Sequence, residues 1–210
     1  MVQRRAARNR NPAQWLLTVG LIGLGLTFWI PWAVAARTAR TEGRADALCS
    51  LFLAVFSEFL DARTLDRAAL ETALARVQRL AAARGVFADD LELQDRADGG
   101  FLALFANKHY LFGIAKSPPA DQRAPVGNLP PPIEVLAWPR ESTGPAHAVF
   151  FDSQIADAAF TRNLEAGYRG AERMPSPGAG HRPSDPRAGF GFDYRGTDDE
   201  RWLLRRIGIF

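Results

Sequence analysis

Between Arg10 and Arg37 the chain carries no charged residue, and the run WLLTVGLIGLGLTFWIPWAVAA from Trp15 to Ala36 is apolar almost throughout. A membrane's hydrocarbon core takes about 20 such residues in one helix, because only a helix or a closed barrel satisfies its own backbone there. Trp15, Trp29 and Trp32 lie toward the two ends of the run, where amphipathic rings favour the lipid–water interface. The pattern predicts a membrane-crossing helix or signal anchor over residues 15–36, preceded by a basic tail over 1–14.

The flanks bear on orientation and fate. Arg4, Arg5, Arg8 and Arg10 precede the run and Arg37, Arg40 and Arg44 follow it, a small excess that favours a cytoplasmic N-terminus. A short basic head before a first apolar helix also reads as an export signal, which places residues 37–210 outside the cytoplasm. Pro31 and the small residues Ala33-Val34-Ala35 fit a signal-peptidase site, so two fates stay open. The helix is retained as an anchor, or the chain is cleaved after Ala35 and secreted.

Residues 37–210 are enough for one domain with its own core. The single cysteine, Cys49, excludes an internal disulfide and reads as a small buried apolar residue. The net charge of +3 comes from a chain whose basic residues are arginines apart from Lys108 and Lys116. Those arginines are scattered among acids, so no nucleic-acid stripe is present.

Periodicity predicts an α+β fold. Two further helical segments cover about residues 38–85, the apolar helix running on past Thr38 into the domain. In the first, Leu48, Phe52, Val55, Phe56 and Phe59 recur at helical steps; LFLAVFSEFL is too short to span and reads as a core helix. In the second, Leu70, Leu74, Val77 and Leu80 form one face, with Asp66 as N-cap and Gly85 as terminator. From residue 101 onward the pattern changes to a small, mainly antiparallel sheet. FLALFA and HYLFGIA flank a two-residue turn at Asn107-Lys108, a helix through the same residues being the alternative. IEVLAWP and AHAVFFD read as strands, Gln154–Leu164 is ambiguous between a short helix and an irregular crossing, Phe190–Tyr194 is one further strand, and WLLRRIGIF is a last strand, a helix being the alternative. The proline- and glycine-rich stretches 117–132 and 170–189 read as long mobile loops.

The search for chemistry returns no catalytic, cofactor or metal residues. No serine sits in a Gly-x-Ser-x-Gly elbow. His109, His147 and His181 lack ligand spacing. Asp89, Asp90 and Glu92 lack the glycine and closing glutamate of a calcium loop. Asp198-Asp199-Glu200 reads as a turn. Gly20, Gly23 and Gly25 lie inside the apolar run, where small residues allow helix packing and hence a homo-oligomer. Were the chain an enzyme, His109, His147 and Asp152 would be the first residues to examine.

HYLFGIA, VLAWP, Gly144, AVFFD and TRNLEAGYRG, in that order over Tyr110–Gly170, resemble uncharacterised bacterial envelope proteins with a pilin-like N-terminal helix. The resemblance implies a long helix, part in membrane and part packed on a small antiparallel sheet, and no established chemistry. Two departures stand out. Ser153-Gln154-Ile155-Ala156 replaces a turn glycine, and no prepilin signal with its fifth-position glutamate precedes the helix. The expectation is a single-pass inner-membrane protein with an extracytoplasmic domain, in a structural or interaction role. Its partners are the bilayer and a protein partner or second copy.

Overall fold

A computed structural model describes residues 12–59, 65–95, 99–117, 133–141, 144–152, 157–165, 167–182 and 192–207. The described chain is α+β, with two helices and one eight-stranded antiparallel sheet. It divides into two compact units, one ending at Glu42 and one beginning at Gly43.

Helix α1 (Pro12–Phe59) is unbroken. The apolar helix runs on past Thr38 into the domain as expected, but the count of two further helices is corrected: the first segment is part of α1, and α2 (Arg67–Ala83) is the only other helix among the described residues. Nothing between Ala36 and Leu48 stops a helix except Gly43, which costs about 1 kcal/mol and does not terminate one. Pro31 lies inside α1 without ending it.

In the first unit, thirteen large apolar side chains from Trp15 to Val34 are exposed. In the second unit α1 inverts this pattern. Ala45, Leu48, Cys49, Leu51, Phe52, Leu53, Val55 and Phe56 are buried over more than half of the helix circumference, which marks a core element. α2 follows the sequence reading: Asp66 accepts the Ala69 N–H at 2.8 Å, and Gly85 takes φ +68° past the last turn. Ala73, Val77 and Ala81, four residues apart, form its buried stripe.

The strands are β1 (Glu92–Leu93), β2 (Ala103–Ala106), β3 (Tyr110–Lys116), β4 (Ile133–Pro139), β5 (His147–Asp152), β6 (Asp157–Asn163), β7 (Asp193–Arg195) and β8 (Arg201–Ile207). Six run as a simple meander; then β8 pairs with β6 and β7 takes the edge outside it. The ambiguous segment resolves as β6 over its described part. WLLRRI is a strand as expected, the last three residues of the chain lying outside the described set. The β2–β3 turn is shifted by one residue from the expected hairpin. Asn107 precedes it, and its Oδ1 accepts the N–H groups of His109 (2.8 Å) and Tyr110 (2.7 Å). The asparagine acts here through its side chain, not through a positive φ.

Both faces of the sheet are covered. On one, Phe105, Phe112, Ile114, Val135, Val149 and Phe160 pack with α1 and α2 in one core cluster. Phe52 is the hub, its ring centroid 4.9 Å from Phe105 and 5.4 Å from Phe112. On the other face Phe101, Leu136, Trp138, Phe150, Trp202 and Leu204 form a second core. Phe101 lies flat on Gly113, where a Cβ would collide with the ring, and stacks on Trp138 at 5.4 Å. No helix among the described residues covers this second face. Its cover includes the irregular strap 167–182, in which Tyr168, Pro175, Gly178, Ala179 and Gly180 are buried. The expected mobile loop at 170–189 is therefore packed over its described part, ending at Arg182. The other expected loop lies outside the described residues beyond Ser117.

Candidate functional site

Two features stand apart from ordinary packing: the uncovered apolar length of α1, and the polar groups buried under the strap.

The thirteen exposed apolar side chains are spread round the whole helix, from Leu16 (75% exposed) to Phe28 (76%). At about 1.5–3 kcal/mol for each such side chain left in water, the stretch forgoes on the order of 20–40 kcal/mol of burial. It is the one helix among the described residues long and apolar enough to cross a membrane, and it fits a single transmembrane helix or signal anchor. A Cβ added at Gly20, Gly23 or Gly25 would meet nothing within 4 Å, so no packing among the described residues uses them. Arg4, Arg5, Arg8 and Arg10 lie outside the described residues.

The histidines divide three ways. His109 is an exposed turn residue. His147 is buried on β5 beside the Tyr110 ring, and neither ring nitrogen has a hydrogen-bond partner. Burial, then the charges of Arg205 and Arg162, push its pKa down to about 3. It is a neutral imidazole at ordinary pH, with no carboxylate among the described residues to orient it. Asp152 closes β5, its side chain lying outside the described set. The three residues singled out for an enzyme thus show no catalytic arrangement among the described atoms.

His181 is the histidine that meets a carboxylate. Its Nε2 lies 2.8 Å from Oε2 of Glu134, a fully buried side chain on β4. Oε1 of Glu134 accepts the N–H of Gly178, and the His181 ring stacks on Phe150 with centroids 3.9 Å apart. Gly178 takes φ +86°, which turns its N–H to the carboxylate at a backbone angle L side chains resist. Further bonds hold the same stretch: Tyr194 Oη donates to Gly180 O (2.5 Å), Thr197 Oγ1 to Gly178 O (2.7 Å) and Trp138 Nε1 to Gly170 O (2.8 Å). A buried ion costs several kcal/mol unless its oxygens are bonded. Here both are bonded, and the partners belong to the strap. One signal for this pair was present in the sequence: Glu134 interrupts an otherwise apolar run, and a lone carboxylate there requires a partner.

Asp198-Asp199-Glu200 forms a turn, as expected, and its outer members are anchors. Asp198 accepts from the Tyr168 hydroxyl and from Trp202 Nε1 at 3.1 Å. Glu200 accepts from Asn163 Nδ2 (2.7 Å) and Arg173 Nη2 (3.0 Å). Burial first, then the bond to Asp198, drive the Tyr168 pKa far above the usual phenol range. Cys49 is buried and its thiol pKa is raised, by desolvation first and by Asp46 second, so it lacks the thiolate character of a reactive cysteine. Asp90, one acid of the calcium-like spacing, pairs with Arg44. No group of three or more His, Cys, Asp or Glu among the described residues is arranged to hold a metal.

No protein-family model, curated protein or solved structure matches this chain.

Proposed function

We propose that this chain is a single-pass protein of a bacterial inner membrane that holds its α+β domain outside the cytoplasm, in a structural or interaction role in the cell envelope. The observation that carries the reading is the apolar length of α1, uncovered on every side and directly continuous with a helix buried in the domain core. The polar groups beneath the strap support a non-catalytic role, since Glu134, Asp198 and Glu200 each bond strap residues or the strands beside them. This arrangement of one helix, apolar outside and core-forming inside, is also what the resemblance to pilin-like envelope proteins implies.

The test is fractionation of cells expressing the full chain. Resistance to alkaline carbonate extraction, an intact N-terminus by mass spectrometry, and domain cleavage by protease added to spheroplasts are expected. A soluble chain beginning at Ala36 would replace the anchor with a cleaved leader, and protection from external protease would reverse the topology.

A second reading, an envelope enzyme, is favoured by one observation: His181 and Glu134 within hydrogen-bond distance, His181 being partly exposed. It requires the second ring nitrogen of His181 to meet a substrate. Modification by diethyl pyrocarbonate reports this, and an unreactive His181 in the folded protein would sink it.

A further inference from the structure

α1 does not stop where its apolar stretch ends. It continues through Arg37, Arg40 and Arg44, which at 3.6 residues per turn fall within about a sixth of the helix circumference. Arg44 is committed to the domain: its Nε donates to Phe87 O at 2.7 Å, its guanidinium pairs with Asp90, and it lies over the Phe87 ring. Arg37 and Arg40 are exposed and have no hydrogen-bond or ion-pair partner among the described residues. The neighbouring threonines are engaged with the helix backbone, Thr38 Oγ1 donating to Val34 O and Thr41 Oγ1 to Thr38 O. The one acid between Trp15 and Arg44, Glu42, lies about 140–200° round the helix from both arginines.

Their depth is set by the helix. At 1.5 Å per residue, Arg37 and Arg40 stand about 8 and 12 Å beyond Trp32, an indole placed where the interface belongs. The polar layer outside the hydrocarbon is about 5–7 Å thick on each side. Side chains on a helix lean toward its N-terminus, here the membrane side, and long basic ones reach back to the headgroups. We propose that Arg37 and Arg40 form a binding stripe for the phosphates of anionic phospholipids. This rests on the reading of residues 15–36 as a membrane span. Charge complementarity and continuity with the apolar stretch favour a lipid as occupant over a protein.

Full-length protein reconstituted in phosphatidylcholine vesicles, with spin-labelled phosphatidylglycerol or spin-labelled phosphatidylcholine as probe, tests it. The wild type is expected to hold the anionic probe in its boundary layer several-fold in preference to the neutral one. Loss of each arginine is expected to weaken that preference by up to about fivefold. The Arg37→Gln/Arg40→Gln variant is then expected to show little preference, while the control Arg84→Gln keeps it. Equal binding of the two probes by the wild type, or an unchanged preference in the double variant, overturns the stripe. Vesicle flotation reads insertion separately. A chain that inserts without preference refutes the stripe alone, whereas a chain that does not insert refutes the membrane span beneath it.

Discussion

Replacing Glu134 by alanine should unfasten the strap before it unfolds the domain. The substitution leaves the Gly178 N–H and His181 Nε2, both directed at a carboxylate in the native protein, without acceptors. Each orphaned buried donor costs about 1–3 kcal/mol, with the partly exposed His181 at the low end, so about 2–4 kcal/mol is lost from a segment still held through Tyr168, Arg173, Tyr194, Thr197 and Trp138. Even the lower figure raises the open population roughly thirtyfold. Trypsin reads that population directly, because Arg169, Arg173 and Arg182 lie on the strap and cleavage requires local opening. Native protein is expected to resist cutting at these sites while α2 is still intact, and Glu134→Ala to be cut there at least ten times faster. Glu134→Gln keeps one acceptor for Gly178 and should fall between the two. Equal cleavage rates in all three, with the fold verified by near-ultraviolet circular dichroism, would refute the strap's dependence on this pair.

Phe52→Ala removes the hub of the first core and should cost about 3–5 kcal/mol, lowering the thermal midpoint by about 6–20 °C for a domain of this size. His147 supplies a pH test. Its folded pKa, about 3, lies below the unfolded value of 6.5, so the unfolded chain binds the proton first and stability falls as pH drops through 6.5 toward 3. The slope approaches 1.4 kcal/mol per pH unit, and urea unfolding between pH 6 and 4 should show His147→Phe losing about 2–3 kcal/mol less than wild type. Tyr168 should stay protonated in absorbance titrations until the fold is lost. Tyr168→Phe should cost about 1 kcal/mol without moving the strap's cleavage pattern at Arg182.

Much of this structure is legible locally. The cap at Asp66, the terminator at Gly85 and β4, apolar but for Glu134, announce themselves because each depends on neighbours within a few residues. β6 does not. Ala158, Ala159 and Phe160 are all buried, and a strand covered on both faces loses the alternation that betrays a half-exposed one. The strap misled for a different reason. Its few large side chains predict an excursion into solvent, yet much of what it offers the sheet is backbone, in the Gly178 N–H and the carbonyls of Gly170, Gly178 and Gly180, which composition does not register. The pairing of Glu134 with His181 spans 47 residues. Sequence can flag the need for such a partner but not its address. The length and composition of the apolar run predicted a helix there and its continuation past Thr38 into the domain, Gly43 being too weak a stop to divide the two.

The one departure from simple meander order has a consequence for how the chain assembles. Strands β1 to β6 each pair with their sequence neighbour, and even the longest connection, between β3 and β4, is far shorter than the interval from β6 to β8, so these ladders form at lower entropic cost. β8 cannot join that zipper early, because its partner β6 lies some forty residues behind it and the strap occupies the interval. A half-formed sheet lacking β8 would present Trp138 and Phe150 without Trp202, an open aromatic surface and an unpaired edge at β6. The slow step of folding should therefore be arrival of the last strand, and the interval before it the time of greatest risk of aggregation. Stopped-flow fluorescence of Trp202 against Trp138, each left as the sole domain tryptophan, is expected to place the burial of Trp202 last.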